Sequence, residues 1–306
     1  MATYLVTQAT GQQSLSVIAH LLAAGFKIHA VVRDPAKIPS ALKQQGITIF
    51  KGESTNFEEI FQAAQGCQGA FLNTFPIPGI EALQAKTIVE ACKKAGIENL
   101  VAATTFTTEN RAFWDDEATK EVGLHDYWVS KEQVEEAVRA GNFKSYTIVR
   151  PGVLHTDFML PGVHLNFPAL AERGVLDHAF NDGVPIFYTD IQDVGKYVAA
   201  AFQNPAKFAG QGINLIKDLL TAEEVGDILA KVSGRDIPVK RRANVEVEAL
   251  QASAHGMLFH LWANKKDLTP YVNVAKEVQA KFGIPLTGLE AALQRDKARL
   301  LECLPA

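Results

Sequence analysis

Tyr127 and Lys131 stand four residues apart in Tyr127-Trp128-Val129-Ser130-Lys131, so a helix over this stretch sets both on one face. An ammonium beside a phenol lowers the phenol's pKa, and such a phenol can act as general acid toward a carbonyl oxygen. The same pair also suits a plainer role, a half-buried ring and a solvated cation on an amphipathic helix. Arg33 and Lys37 are a second group, two cations one turn apart. A guanidinium makes forked, charge-assisted hydrogen bonds to a phosphate, although pairing with Asp34 is the simpler fate of Arg33. The third group is the loop Thr7-Gln8-Ala9-Thr10-Gly11-Gln12-Gln13-Ser14. A glycine-containing turn from strand to helix aims backbone amides and a helix N-terminus at a pyrophosphate, but Gly11 is the one glycine here. The eight histidines show no metal spacing, and no metal is expected. His155 could face a substrate, whereas His255 and His260 read as packing or surface residues. Cys67, Cys92 and Cys303 show no paired histidine or basic cluster that would clearly activate them and read as inert.

The elements that must position these residues alternate regularly. Strands are expected at Thr3 to Thr7, Lys27 to Val32, Ile47 to Phe50, Gly69 to Asn73, Asn99 to Ala103 and Tyr146 to Val149. Between them lie helical patterns: one through Val17, Ile18, Leu21 and Leu22, one opened by Pro35 and running to Leu42, Phe57 to Ala64, and a long one through Leu83, Ile88 and Val89. Continuous apolar strands alternating with helices predict an α/β fold, a doubly wound Rossmann-like parallel sheet covered on both faces. Ligands of such sheets sit at the carboxyl ends of the strands. Thr10, Gly11, Gln12 and Gln13 then fall where a pyrophosphate binds. Arg33 and Lys37 follow the second strand, where a guanidinium favours a ribose 2′-phosphate, hence NADP(H) over NAD(H). Asn73, Thr74 and Phe75 end the fourth strand, on the ribose and nicotinamide side. From Pro151 the period is lost: Gly152 to Gly183 is irregular and rich in Pro, Gly, His and Phe. Capping-box spacings at Thr221/Glu224 and Thr287/Glu290 predict two later helices, the second running through Leu289, Leu293 and Leu300. The expected layout is a dinucleotide-binding core over 1–152. A smaller, discontinuous C-terminal lobe, mainly for substrate, takes 153–306, with some segments returning to the core.

Read end to end, the chain resembles the NmrA-like family of atypical short-chain dehydrogenase/reductases. Val6-Thr7-Gln8-Ala9-Thr10-Gly11-Gln12-Gln13 is similar to the family's V-T-G-A-T-G-x-x-G opening, with Gln8 and Ser14 in place of the first and third glycines. Arg33-Asp34-Pro35 resembles its R-x-P, Lys51-Gly52-Glu53 its (V/K)-x-G-D, and Arg150-Pro151-Gly152 its R-P-G. Asp190-Ile191-Gln192-Asp193-Val194-Gly195 and Ile284-Pro285-Leu286-Thr287 resemble two later elements. The resemblance implies a catalytic helix at Tyr127 and Lys131, with Lys131 also holding the nicotinamide ribose. It implies a hydroxyl after the fifth strand that polarises the substrate oxygen; Thr104 is the closer match and Thr105 its neighbour. Trp128, His155, Phe158 and Phe167 are the candidate substrate-pocket residues. The family includes NAD(P)-binding regulators as well as reductases. Many regulators keep the lysine and lack the tyrosine, so Tyr127 favours an enzyme.

Of 306 residues, 47% are apolar and 21% charged, the mix of a globular protein, and 30 basic residues against 34 acidic ones leave no basic face for nucleic acid. No apolar run is long enough to span a bilayer and no leader peptide is visible; with three scattered cysteines this predicts a cytoplasmic protein with neither membrane nor nucleic-acid partner. The expectation is an NADPH-dependent reductase of a small hydrophobic carbonyl or enone. The alternatives are a redox-sensing regulator that binds NADP(H) and a protein partner without turnover, and a non-redox isomerase, lyase or cyclase.

Overall fold

A computed structural model of the chain describes residues 2–77, 79–243, 245–247 and 256–305. His255, expected to be a packing or surface residue, lies outside them. The chain divides into two compact units. The first contains 1–114, 126–151 and 191–214, and the second 115–125, 152–190 and 215–306.

The first unit is built on a seven-stranded sheet. β1 (Thr3–Val6), β2 (Lys27–Val32), β3 (Ile47–Lys51), β4 (Gly69–Leu72), β5 (Asn99–Ala103) and β6 (Ser145–Pro151) follow the expected strands closely. Their order is β6-β5-β4-β1-β2-β3, all parallel, and the strand Gln211–Leu215 lies at the edge beside β6. The order reverses at β1, and open α/β sheets receive their ligands in the crevice at the carboxyl end of such a reversal. α1 (Gln12–Ala23), α2 (Phe57–Ala64), α3 (Ile80–Lys94), α4 (His125–Ala140) and α5 (Ile191–Gln203) cover the sheet. Leu5, Val6, Ala70, Phe71, Leu72 and Ala102 are fully buried, and a buried side chain of Val or Leu size contributes about 1.5–3 kcal/mol. α1 is fixed on its flank by α5: a Cβ at Gly195 would stand 2.6 Å from Ser16 Oγ, and Ser16 Oγ donates to Ile191 O at 2.9 Å. Among the described residues no helix is long and apolar enough to cross a membrane.

The segment Pro35 to Leu42 departs from the expected helix. It forms two 3-10 turns, Pro35–Lys37 and Ser40–Leu42, because Pro39 excludes helical backbone at Ile38, which takes φ −76° and ψ 139°.

In the second unit the irregular stretch resolves into short pieces. A 3-10 turn (His155–Phe158), helices Val163–Asn166 and Pro168–Arg173, and a strand Leu176–His178 paired in parallel with Val239–Arg241 follow one another. A small sheet joins Val153–Leu154, Ile186–Thr189 and Asp218–Leu220. α6 (Ala222–Ser233) starts with the predicted capping box of Thr221 and Glu224. The second predicted box does not form. That helix begins at Leu289, whose amide donates to Asp218 Oδ2 at 2.7 Å, and it breaks at Asp296 into Leu289–Arg295 and Lys297–Cys303.

Candidate functional site

The loop after β1 is fastened by three side chains that no glycine could replace. Thr7, fully buried, accepts from Asn73 N and donates to Asn73 O, both at 2.9 Å, tying the ends of β1 and β4. Ser14, in the place of the family's third glycine, is buried; its hydroxyl donates to Thr7 O at 3.0 Å and accepts from Asn73 Nδ2 at 3.1 Å. Helix and strand are thus joined by a hydroxyl where the family motif relies on close contact. Gln8, at the first glycine's position, keeps the glycine-like backbone, φ 48°. That conformation costs a side chain about 1–2 kcal/mol, and the amide Nε2 donates to Ser54 Oγ at 3.2 Å. Gln8 therefore does not block the turn. No side chain caps α1 after Gly11. Its first amides and the positive end of its dipole are the elementary receptor for a phosphate, and Thr10, Gln12 and Gln13 stand at this end.

Beside the loop lies a cavity of about 410 Å³ lined by Gln8, Thr10, Val31, Val32, Arg33, Asp34, Lys37, Gly52, Glu53 and Ser54. Asp34 uses its carboxylate locally: Oδ1 accepts from Ala36 N at 3.0 Å, and Oδ2 lies 3.4 Å from Lys37 Nζ. Among the described residues nothing pairs with the exposed Arg33 guanidinium. The cavity thus carries one uncommitted cation, Arg33, and one shared cation, Lys37.

On α4, Tyr127 is half-buried and Lys131 buried. The Lys131 ammonium sits 5.3 Å from the Tyr127 ring centre and 2.6 Å from Glu81 Oε1. Glu81, on the first turn of α3, is fully buried. It accepts further hydrogen bonds from Thr74 Oγ1 at 2.6 Å and Ser130 Oγ at 2.5 Å. Burial works against the charged Lys131, and the neighbouring Tyr127 and Glu81 outweigh it, so its pKa lies above the ordinary lysine value.

Thr104, at the end of β5, is also buried and donates its proton to Glu135 Oε1 at 2.9 Å. Its hydroxyl is committed inward. Thr105, half-buried, has no hydroxyl partner among the described residues. Trp128 is 2% exposed and stands edge-on to Tyr127; it is a packing residue of the first unit. The remaining pocket candidates belong to the second unit. Phe158 and Phe167 are buried and stacked at 4.6 Å, which makes them core. His155, fully buried, meets Asp296 Oδ2 through Nε2 at 2.8 Å and Asp190 through Nδ1 at 3.4 Å. Arg295 closes that cluster by binding both aspartates. His260 is stacked on Phe180, and burial pushes its pKa down to about 3, with His178 adding to the effect. Burial likewise raises the three cysteine thiols, which stay protonated.

Comparison with known proteins agrees with this architecture. Quinone oxidoreductase 2 of Escherichia coli is 27% identical over 80% of this chain and 79% of its own length. The structure of Citrobacter sp. triphenylmethane reductase complexed with NADP(H) superposes with a TM-score of 0.75 at 20% identity, covering 96% of this chain and 99% of that one. NmrA, a negative transcriptional regulator in complex with NAD, gives 0.73 at 20% identity over 99% and 98% of the two chains. The family model described as NmrA-like matches residues 2–280, and the chain belongs to the NmrA-like family.

Proposed function

We propose that this protein is an NADPH-dependent reductase of a small hydrophobic carbonyl or enone. The observation that carries the reading is the Tyr127–Lys131 pair, a half-buried phenol whose ring lies 5.3 Å from a buried ammonium on one helix face. The crevice beside it fits a dinucleotide. The uncapped start of α1 suits the pyrophosphate, Asn73 and Thr74 the ribose side, and the Arg33 cavity the adenosine end. When bound, the reduced nicotinamide supplies the hydride. Tyr127 gives its proton to the substrate oxygen, Thr105 donates a hydrogen bond to that oxygen, and Lys131 orients the ribose and tunes the phenol. Support also comes from relatives named as reductases, including quinone oxidoreductase 2 and triphenylmethane reductase. The test is consumption of NADPH against a panel of quinones, enones and aldehydes. Turnover of a substrate without loss of cofactor would replace this reading with non-redox chemistry. Binding of NADPH with no turnover of any kind would replace it with a regulator.

Choice of cofactor rests on Arg33. A charge-assisted hydrogen bond is worth about 1.5–3 kcal/mol. Arg33→Ala is therefore expected to weaken NADPH binding about 10- to 100-fold and leave NADH nearly unchanged, as read by titration calorimetry. Equal losses for both cofactors would remove the 2′-phosphate assignment.

A further inference from the structure

Glu81 is an anomaly in a site built to use a lysine. It is a fully buried carboxylate, reached from α3, with three hydrogen-bond donors converging on it: Thr74, Ser130 and Lys131. An unopposed ammonium close to a phenol favours the phenolate, which accepts protons. A carboxylate 2.6 Å from that ammonium cancels much of its field at the phenol. The charged and titratable groups that face Lys131 are Tyr127 from its own helix and Glu81 from α3. Thr74 and Ser130 add neutral hydroxyls that fix the carboxylate in place, because every lone pair they occupy is one less free to reorient.

We infer that Glu81 is the positioning residue of the Tyr127–Lys131 pair. It holds the ammonium at the ring and offsets its charge, so that the phenol stays protonated and the site is biased toward giving a proton. Its consequence is directional. A reductive step needs the Tyr127 proton delivered to oxygen, whereas the reverse oxidation needs a phenolate ready to take one. This deepens the reductase reading and rests on it for its meaning, but the interaction itself can be read without cofactor or substrate.

The experiment is a tyrosine absorbance titration of the ligand-free protein, with the Tyr127 contribution isolated as the difference from Tyr127→Phe. Glu81→Gln is close in shape and keeps an oxygen for Lys131 and Thr74. It is expected to move the Tyr127 midpoint down by about one pH unit, a 10-fold rise in the ionisation constant. In a Lys131→Met background the same Glu81→Gln change should move the midpoint less, because the part that comes from holding the ammonium at the ring is gone and only the carboxylate's own field is left. Where Glu81→Gln fails to fold, Glu81→Asp takes its place, with the charge drawn back by one methylene and a smaller shift in the same direction. A purely structural role would lower Tm and leave the Tyr127 midpoint where it is in wild type, and that result would overturn the inference. If the midpoint moves but no carbonyl is reduced by NADPH, Glu81 keeps its role and the reductase reading falls. With an active substrate in hand, the basic limb of the pH–rate profile for reduction should fall by the same amount in Glu81→Gln.

Discussion

Tyr127→Phe is expected to slow carbonyl reduction about 10²- to 10⁴-fold, the usual worth of a positioned general acid, while NADPH affinity stays within error of wild type. The substitution removes one hydroxyl and leaves the ring where it packs edge-on against Trp128 at 5.2 Å, so the fold has little reason to respond. The loss should fall on kcat, because proton delivery belongs to the transition state and not to ground-state binding. Lys131→Met is a different experiment. It strands Glu81, which has no solvent exposure, and removing one partner of a buried ion pair costs about 3–5 kcal/mol. Its activity loss therefore has to be read beside a stability measurement, whereas that of Tyr127→Phe does not. A Tyr127→Phe variant that reduces the same substrate as fast as wild type would end the general-acid assignment.

How much of this was legible in the sequence depends on the distance over which the information is stored. β2, β5 and α2 were readable to the residue because strand burial and helical spacing are local properties. The stretch after Pro35 departs from the expected helix because a proline reads locally as a helix start, whereas Pro39 keeps Ile38 out of helical backbone. The C-terminal stripe through Leu289 and Leu300 was real as a buried face, but a periodic stripe does not reveal a break at Asp296. In the site, Tyr127 and Lys131 could be paired because four residues on a helix fix their relation. Glu81 is 50 positions from Lys131 and sits on a helix whose other charges are exposed, so nothing local in the sequence sets it apart. The inward turn of the Thr104 hydroxyl had the same cause: its partner, Glu135, lies 31 positions away. Gln8 and Ser14 could be recognised as replaced glycines, but only the tertiary contacts of Ser54, Thr7 and Asn73 show how the loop accommodates them.

Arg150→Met is expected to destabilise the protein by about 3–5 kcal/mol, measured as a shift in urea unfolding. Arg150 is 4% exposed and Glu135 1% exposed. The guanidinium grips the carboxylate with two parallel bonds, Nε to Oε1 and Nη2 to Oε2, each 2.7 Å. Burial acts against the charged guanidinium, and the bond to Glu135 more than restores it, so its pKa is raised. Glu135 also accepts from Thr104 and, at 2.5 Å, from Arg139, so losing Arg150 leaves a buried carboxylate with one half-exposed cation. Room for the fork is made by Gly212, where a Cβ would come within 2.5 Å of Arg150 Nη1. Gly212→Ala should therefore disturb the same pair without touching a charge. Replacing both partners by Met and Leu should cost far less than the sum of the single changes, since no buried charge remains uncompensated. Single variants that lose under about 1 kcal/mol would place the pair among weakly coupled ion pairs and remove the argument. If the large loss is found, the pair has a consequence for the site. It fixes α4 against β5 and β6, and with α4 go Tyr127 and Lys131, whose distance from the end of β5 sets whether a substrate oxygen can meet Thr105 and the phenol together.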